Sequence, residues 1–333
     1  MVNDPAKTYL NRREFMARSA KAGLAVAATC GAGFLFFDDE GPAREQAGVE
    51  NVSLPDFSLA DAKGRMRVAK GADRGETLGL ALKALGGIET FVKKGDAVLL
   101  KINAAFATAP ALSATTHPDL VAHMSRLCFK AGAKSVVVTD NPINDPASCF
   151  ALTGIARAAK SAGAKVLLPK TDFFRPTTVP GGRLIKDWPL LYTPFEGIDK
   201  VIGLAPVKDH SRSGASMSLK NFYGLLGGRR NIFHQDINTI ITELALMIKP
   251  TLVILDGTFS MMQNGPTGGS LSDLKATNTM IVSTDPVAAD AFGAGLLDKT
   301  PQDLPYIGRA AKAGAGRLDY TALDFEIVNS VES

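Results

Sequence analysis

From about residue 56 the chain alternates between continuous apolar runs and stretches with helical spacing. "RMRVAKG" (65–71) reads as a strand, and "GETLGLALKALGG" (75–87) as a helix closed by a Gly pair. "DAVLLKIN" (96–103) is apolar throughout and polar only at its end, the pattern of a strand buried on both faces. A helix over 117–133 with Pro118 in its first turn follows, then strand 135–141, helix 149–164 and strand 165–169. These three β–α repeats predict parallel strands joined by right-handed crossovers. Residues 170–198, which hold Trp188, lose the period and read as an irregular excursion or hairpin over the sheet edge. Strand 200–208, helix 237–248, strands 251–257 and 278–285, helices 286–298 and 303–316 and strand 324–328 complete the pattern. The expectation is an α/β domain over 56–333: a mainly parallel open sheet flanked by helices, with an irregular middle excursion.

The N-terminal residues break that pattern. In "NRREFMARSAKAGLAVAATCGAGFLFF" (11–37), Arg12 and Arg13 precede Phe15, Met16 and a mildly apolar Gly/Ala run. This order resembles a twin-arginine export signal. The reading assigns 1–37 to a signal or anchor and 38–55 to a polar linker. It implies the twin-arginine machinery as a partner and a location in the periplasm or on the outer face of the cytoplasmic membrane. Membrane contact is expected only through this segment.

Charge changes the picture little once the signal is set aside. The formal net charge is +4, and residues 1–37 hold five Lys and Arg against Asp4 and Glu14, a net of +3. The remainder, near +1, gives no electrostatic case for nucleic acid. Three cysteines, Cys30, Cys128 and Cys149, form no CxxC pair. Cys128 reads as a core residue; spacing alone leaves a Cys128–Cys149 disulfide open.

Chemistry concentrates where predicted strands end. In parallel sheets, ligands bind beyond the carboxyl ends of the strands. Those ends carry Lys101 and Asn103, Asp140 and Asn141, Lys208 to His210, Asp256, and Asp285. Thr116 and His117 stand where a helix begins, a place that suits either a cap or an anion. "SLKNFYGLLGGRRNIFHQD" (218–236) adds Lys220, Asn221, Arg229, Arg230 and His234. Lysines with Asn amides suit a carboxylate or phosphate, and Arg229 with Arg230 reads equally well as a solvated corner. The Walker pattern GxxxxGK[ST], a GxGxxG after a strand and a GxSxG elbow are all absent, so neither ATP, a dinucleotide nor a serine hydrolase is implied. The Gly- and Pro-dense stretch 257–270 reads as a mobile loop over the site.

"VLLKINAAF…TTHPDLV", "VIGLAPVKDHSRSGASMSLKNFYGLLGG…H", "LVILDG…GPTGG" and "VSTDPVAADAFG" together resemble the motifs of domain-of-unknown-function family 362, over about 66–298. The resemblance implies roles for Lys220, Asn221 and His234 and names no reaction. Many members carry an iron–sulfur ferredoxin module; the cysteine set for one is missing, so no iron–sulfur cluster is expected. Two functional readings stand. The first is an exported enzyme acting on a small anion: Lys101, Asn103, Thr116, His117, Lys208, Lys220 and Asn221 bind substrate, and His210, His234 and Asp256 transfer protons or hold a divalent metal. The second is a non-catalytic cell-envelope protein that binds a small anion or metal.

Overall fold

A computed structural model describes residues 11–35 and 50–329. It divides into two units, Met1–Arg44 and Glu45–Ser333. In the first, Arg12–Leu35 forms a helix that opens with Asn11 Oδ1 accepting the Glu14 N–H at 2.8 Å. No helix among the described residues is long and apolar enough to cross a membrane. Much of the expected linker, and the end of the expected signal, lie outside the described residues.

The second unit is built on a nine-stranded mixed sheet. Its strands are β1 (Arg65–Lys70), β2 (Ala97–Lys101), β3 (Ser135–Thr139), β4 (Lys165–Val166), β7 (Lys200–His210), β8 (Gly214–Ser216), β9 (Leu252–Met261), β10 (Leu274–Ser283) and β11 (Asp324–Asn329). A separate hairpin pairs β5 (Phe174–Thr177) with β6 (Trp188–Leu191). The main order is β11-β1-β10-β9-β7-β2-β3-β4, with β8 folded back on β7. From β9 to β4 every neighbour is parallel, as the β–α repeats predict. β10 is antiparallel to both β9 and β1.

Alternation along each strand serves two cores. Leu99, Val201, Val253 and Ile281 face one side, under helices Ile237–Met247, Pro286–Gly295 and Pro305–Lys312. Val98, Leu100, Ile202, Ile254 and Val282 face the other, under Arg74–Ala84, Pro118–Lys130 and Ile155–Ser161. Cys128 and Cys149 are buried free thiols.

Several boundaries differ from the sequence pattern for local reasons. The helix expected over 149–164 is two helices, Pro146–Leu152 and Ile155–Ser161, because Gly154 turns left-handed (φ 73°) between them. β9 continues to Met261, so Asp256 lies inside a strand rather than at its end, and the expected mobile loop starts five residues late. β10 runs antiparallel, so Asp285 emerges at the edge opposite Lys101, where it caps helix Pro286–Gly295 as its place before Pro286 suggests. The middle excursion contains the β5–β6 hairpin and is fastened to the main unit. Glu243 accepts backbone N–H groups of Arg183, Leu184 and Ile185 at 2.6–3.0 Å, and Trp188 Nε1 donates to the Gly227 carbonyl at 3.1 Å.

Candidate functional site

The carboxyl ends of β2, β3 and β7 converge on a buried polar frame. Lys101, at the last position of β2, is fully enclosed, and its Nζ lies 2.7 Å from Asp140 Oδ1. The same ammonium donates to the carbonyls of Ile102 (2.6 Å) and Asn221 (2.9 Å). Burial lowers the Lys101 pKa and Asp140 raises it. Asn221 Nδ2 donates to the carbonyls of Lys101 and Leu204, both at 3.2 Å. Thr116 Oγ1 accepts from Asn103 N–H and donates to the Leu204 carbonyl, both at 2.8 Å. The polar groups of Lys101, Thr116 and Asn221 are therefore occupied in tying the loops to the sheet. Asn103 Oδ1 accepts the Ala105 N–H at 3.3 Å and holds its own loop. A Cβ on Gly224 would stand 2.0 Å from Asp140 Oδ1, so this frame admits only glycine there.

Beside the frame lie three cations with no carboxylate in ion-pair contact, one of them, Lys220, with no polar partner among the described residues. Lys208, on β7, donates to the carbonyls of Ala114 and Pro266 and sits 5.2 Å from the Phe106 ring centroid. Lys220, on the short helix Ser218–Asn221, is 9% exposed, and its Nζ lies 5.1 Å over the Tyr223 ring. Among the described residues no hydrogen bond or ion pair engages that ammonium. Desolvation pushes both lysines down to about 7; the Lys220 charge depresses Lys208 further, and Arg230 depresses Lys220. Arg230 is buried, contrary to the solvated-corner reading. Its guanidinium donates to the carbonyls of Asn141 (2.6 Å), Leu226 (2.8 Å) and Pro142 (3.1 Å), so it keeps its charge without a carboxylate partner. Lys101, Lys208 and Arg230 share the field of one buried carboxylate, Asp140, that Lys101 already holds, and Lys220 has none. The local charge is therefore in surplus on the positive side.

Two imidazoles lie beside these cations. His210 ends β7 and His234 lies on the turn Arg230–Asp236; their rings stack with centroids 5.7 Å apart and 14° between planes. His210 Nδ1 accepts the N–H groups of Arg212 (3.2 Å) and Ser213 (3.3 Å), which places its proton on Nε2. His234 Nδ1 lies 3.2 Å from the Asn231 carbonyl, which can only accept, so its proton sits on Nδ1 and Nε2 keeps a lone pair. Tyr223 Oη donates to the Arg230 carbonyl and supports the His234 ring edge-on. Burial first, then Lys220, Lys208 and His234, holds His210 down to about 2; burial and Lys220 lower His234 as well. Both rings are neutral near pH 7, one offering a donor and the other an acceptor.

Asp256 does not join them. Its Oδ2 lies 2.7 Å from Arg74 Nε and its Oδ1 accepts the Thr258 N–H at 2.9 Å. His117 caps helix Pro118–Lys130 through Nδ1, 3.3 Å from the Asp119 N–H. Burial lowers its pKa, followed by Arg74, which places it with the Arg74–Asp256 pair rather than with His210. The expected set of His210, His234 and Asp256 is therefore not assembled. Among the described residues no group of three or more His, Cys, Asp and Glu could hold a metal ion. Pattern reading missed Arg74 and Tyr223; nothing in their spacing marks them, because their roles arise from contacts between elements far apart in sequence.

The segment 262–270 closes the outer side. Gly265 N–H donates to Asp209 Oδ2 at 3.2 Å, Pro266 offers its carbonyl to Lys208, and a Cβ on Gly265 would collide with the Asp209 backbone.

The family model for Domain of unknown function (DUF362) matches residues 98–295, a range that includes Lys101, Asp140, Lys208, His210, Lys220, Arg230 and His234. A thylakoid-associated protein of Synechocystis sp. is 30% identical over 251 residues, covering 70% of this chain and 73% of its own. Among solved structures, the lactate racemase apoprotein from Thermoanaerobacterium thermosaccharolyticum aligns at 13% identity with a TM-score of 0.37. That alignment covers 73% of this chain but spans only 61% of the racemase chain. A protein from Thermotoga maritima aligns at 14% identity with a TM-score of 0.35, over 58% of this chain and 52% of its own.

Proposed function

The chain belongs to the DUF362 family, and from that premise we propose that its basic pocket binds a small carboxylate or phosphate and moves a proton on it. Lys220 carries the reading. A cation that is buried, without a partner, and set among Lys208 and Arg230 is costly in an empty pocket and is compensated by a bound anion. His210 Nε2–H donates a hydrogen bond to the held molecule, and His234 Nε2 takes up the proton from it and returns it. The fixed opposite tautomers suit a donor–acceptor pair, with no ring needing to flip between roles. Lys208 and the closing segment 262–270 hold the anion from the outer side. Lys101, Asp140, Thr116 and Asn221 keep the walls in place. We further propose export through Arg12 and Arg13, which the Synechocystis relative, named as thylakoid-associated, accompanies without deciding.

Calorimetric titration with inorganic phosphate and with a panel of two- to five-carbon carboxylates tests binding, and solvent-deuterium exchange into the bound carboxylate, followed by NMR, tests proton transfer. Saturable binding that Lys220→Met removes, with exchange that His234→Ala removes while binding persists, is the expected outcome. Binding without any exchange favours the envelope binding protein. No anion binding by the wild type refutes the enzyme reading and the anion-binding form of the second.

A further inference from the structure

At the sheet edge opposite the basic pocket lies a cavity of about 560 Å³. It opens where Gly64 leads into β1, Pro250 lies just before β9, and Thr284 leaves the antiparallel β10. Its floor is apolar, formed by Leu219, Phe222, Ile248 and Leu323. Three cations stand at its wall and mouth. Lys249 is taken by Asp56 at 3.3 Å, whereas Lys63 and Arg317 make no ion pair among the described residues. Asp285, the acidic group on the wall, is satisfied by the N–H groups of Val287, Ala288 and Arg317 at 2.8–3.0 Å. The size suits a small organic ligand, and an apolar floor beneath two unpaired cations suits one with an apolar body and an acid head.

The floor is also the back of the basic pocket. Leu219 and Phe222, three residues apart on one helical face, line the cavity. Lys220 and Asn221, between them, turn to Tyr223 and to the carbonyls of Lys101 and Leu204. The Phe222 ring packs over Gly203, where an added Cβ would stand 3.2 Å from its Cζ, so the ring abuts the strand that carries Lys208 and His210. We propose that this cavity is an effector site for a small amphipathic monocarboxylate, its chain on Leu219 and Phe222 and its head between Lys63 and Arg317, and that filling it changes anion affinity at Lys220. The second half rests on the basic-pocket reading; the first does not.

The test is calorimetric titration of the full chain with octanoate, with acetate and 1-octanol as controls. Octanoate binds saturably, 1-octanol about tenfold more weakly and acetate not at all. Ala315→Phe, or Ala245→Leu from the neighbouring helix, fills the cavity and removes octanoate binding while phosphate still binds. Arg317→Ala weakens it about tenfold. Lys220→Met retains it, which separates this cavity from the basic pocket. Saturating octanoate shifts the Kd for phosphate about fivefold. Octanoate binding that survives both filling variants, that disappears in Lys220→Met, or that 1-octanol matches overturns the site, and an unchanged phosphate Kd overturns the coupling. If phosphate binds nowhere while octanoate behaves as described, the basic-pocket reading falls and the effector site stands.

Discussion

Replacing Lys220 by Met keeps the length of the side chain and removes its charge. The ordinary lysine value of 10.5 falls to about 7 in the pocket, with burial as the main cause and Arg230 as the second. At about 1.4 kcal/mol per unit, that depression sets a ceiling of about 5 kcal/mol on the cost of a charged Lys220 in the empty protein. Relaxation and water entry around the ammonium bring the expected gain in Lys220→Met to about 1–4 kcal/mol at pH 6. At pH 10 wild-type Lys220 is already neutral, and the gain shrinks toward zero. Urea unfolding at both pH values, without phosphate, reads the difference directly. The variant should be the more stable protein and the poorer anion binder, a trade expected of a functional group held under strain. A variant that loses stability equally at both pH values would show that Lys220 is a structural residue and that its lack of a partner is misleading.

Two further substitutions test the frame rather than the ligand. Asp140→Asn leaves Lys101 enclosed without its counter-ion and should cost about 3–5 kcal/mol in urea unfolding, far more than the same change at exposed Asp298, which pairs with Lys275 at the surface. Gly224→Ala drives a methyl into Asp140 Oδ1 and should destabilise by about 1–3 kcal/mol and displace the Lys101–Asp140 pair, visible as weakened phosphate binding.

The centre of the parallel half of the sheet was readable because β2 and β7 are buried on both faces and so write unbroken apolar runs, "VLLK" and "VIGLAPV". The antiparallel turn at β10 was not, since an apolar run carries no direction; Asp285 was therefore placed at the wrong edge. Strand-end polarity pointed to Lys101, Lys208 and His210, which the fold brings to one end of the sheet, and residue type alone could not distinguish an ammonium with four polar neighbours, Lys101, from one with none, Lys220. That distinction depends on which carbonyls come within reach, as with Asn221 and Ile102 around Lys101. Arg230 shows the opposite error. A pair of arginines beside glycines looks solvated, yet one of the two reaches back 89 residues to the Asn141 carbonyl and is enclosed.

The pocket's titration gives the last prediction, and its sign separates binding from folding. Lys208 and Lys220, both near 7, are charged below that pH, so anion affinity is full there and falls as pH rises through 7 to 8. The fall approaches tenfold per pH unit for each lysine that must be charged. His210, held at about 2, stays neutral across this range and contributes no slope. Stability of the empty protein moves the other way. Between about 7 and 10.5 the unfolded chain holds protons on these lysines that the folded protein has lost, so unfolding becomes harder as pH rises. Saturating phosphate should blunt or reverse that trend, because the bound anion restores the charged form. Thermal unfolding from pH 6 to 10, with and without phosphate, should therefore give slopes that differ between the two series. Parallel curves would mean that the anion does not meet these lysines, whatever else it binds.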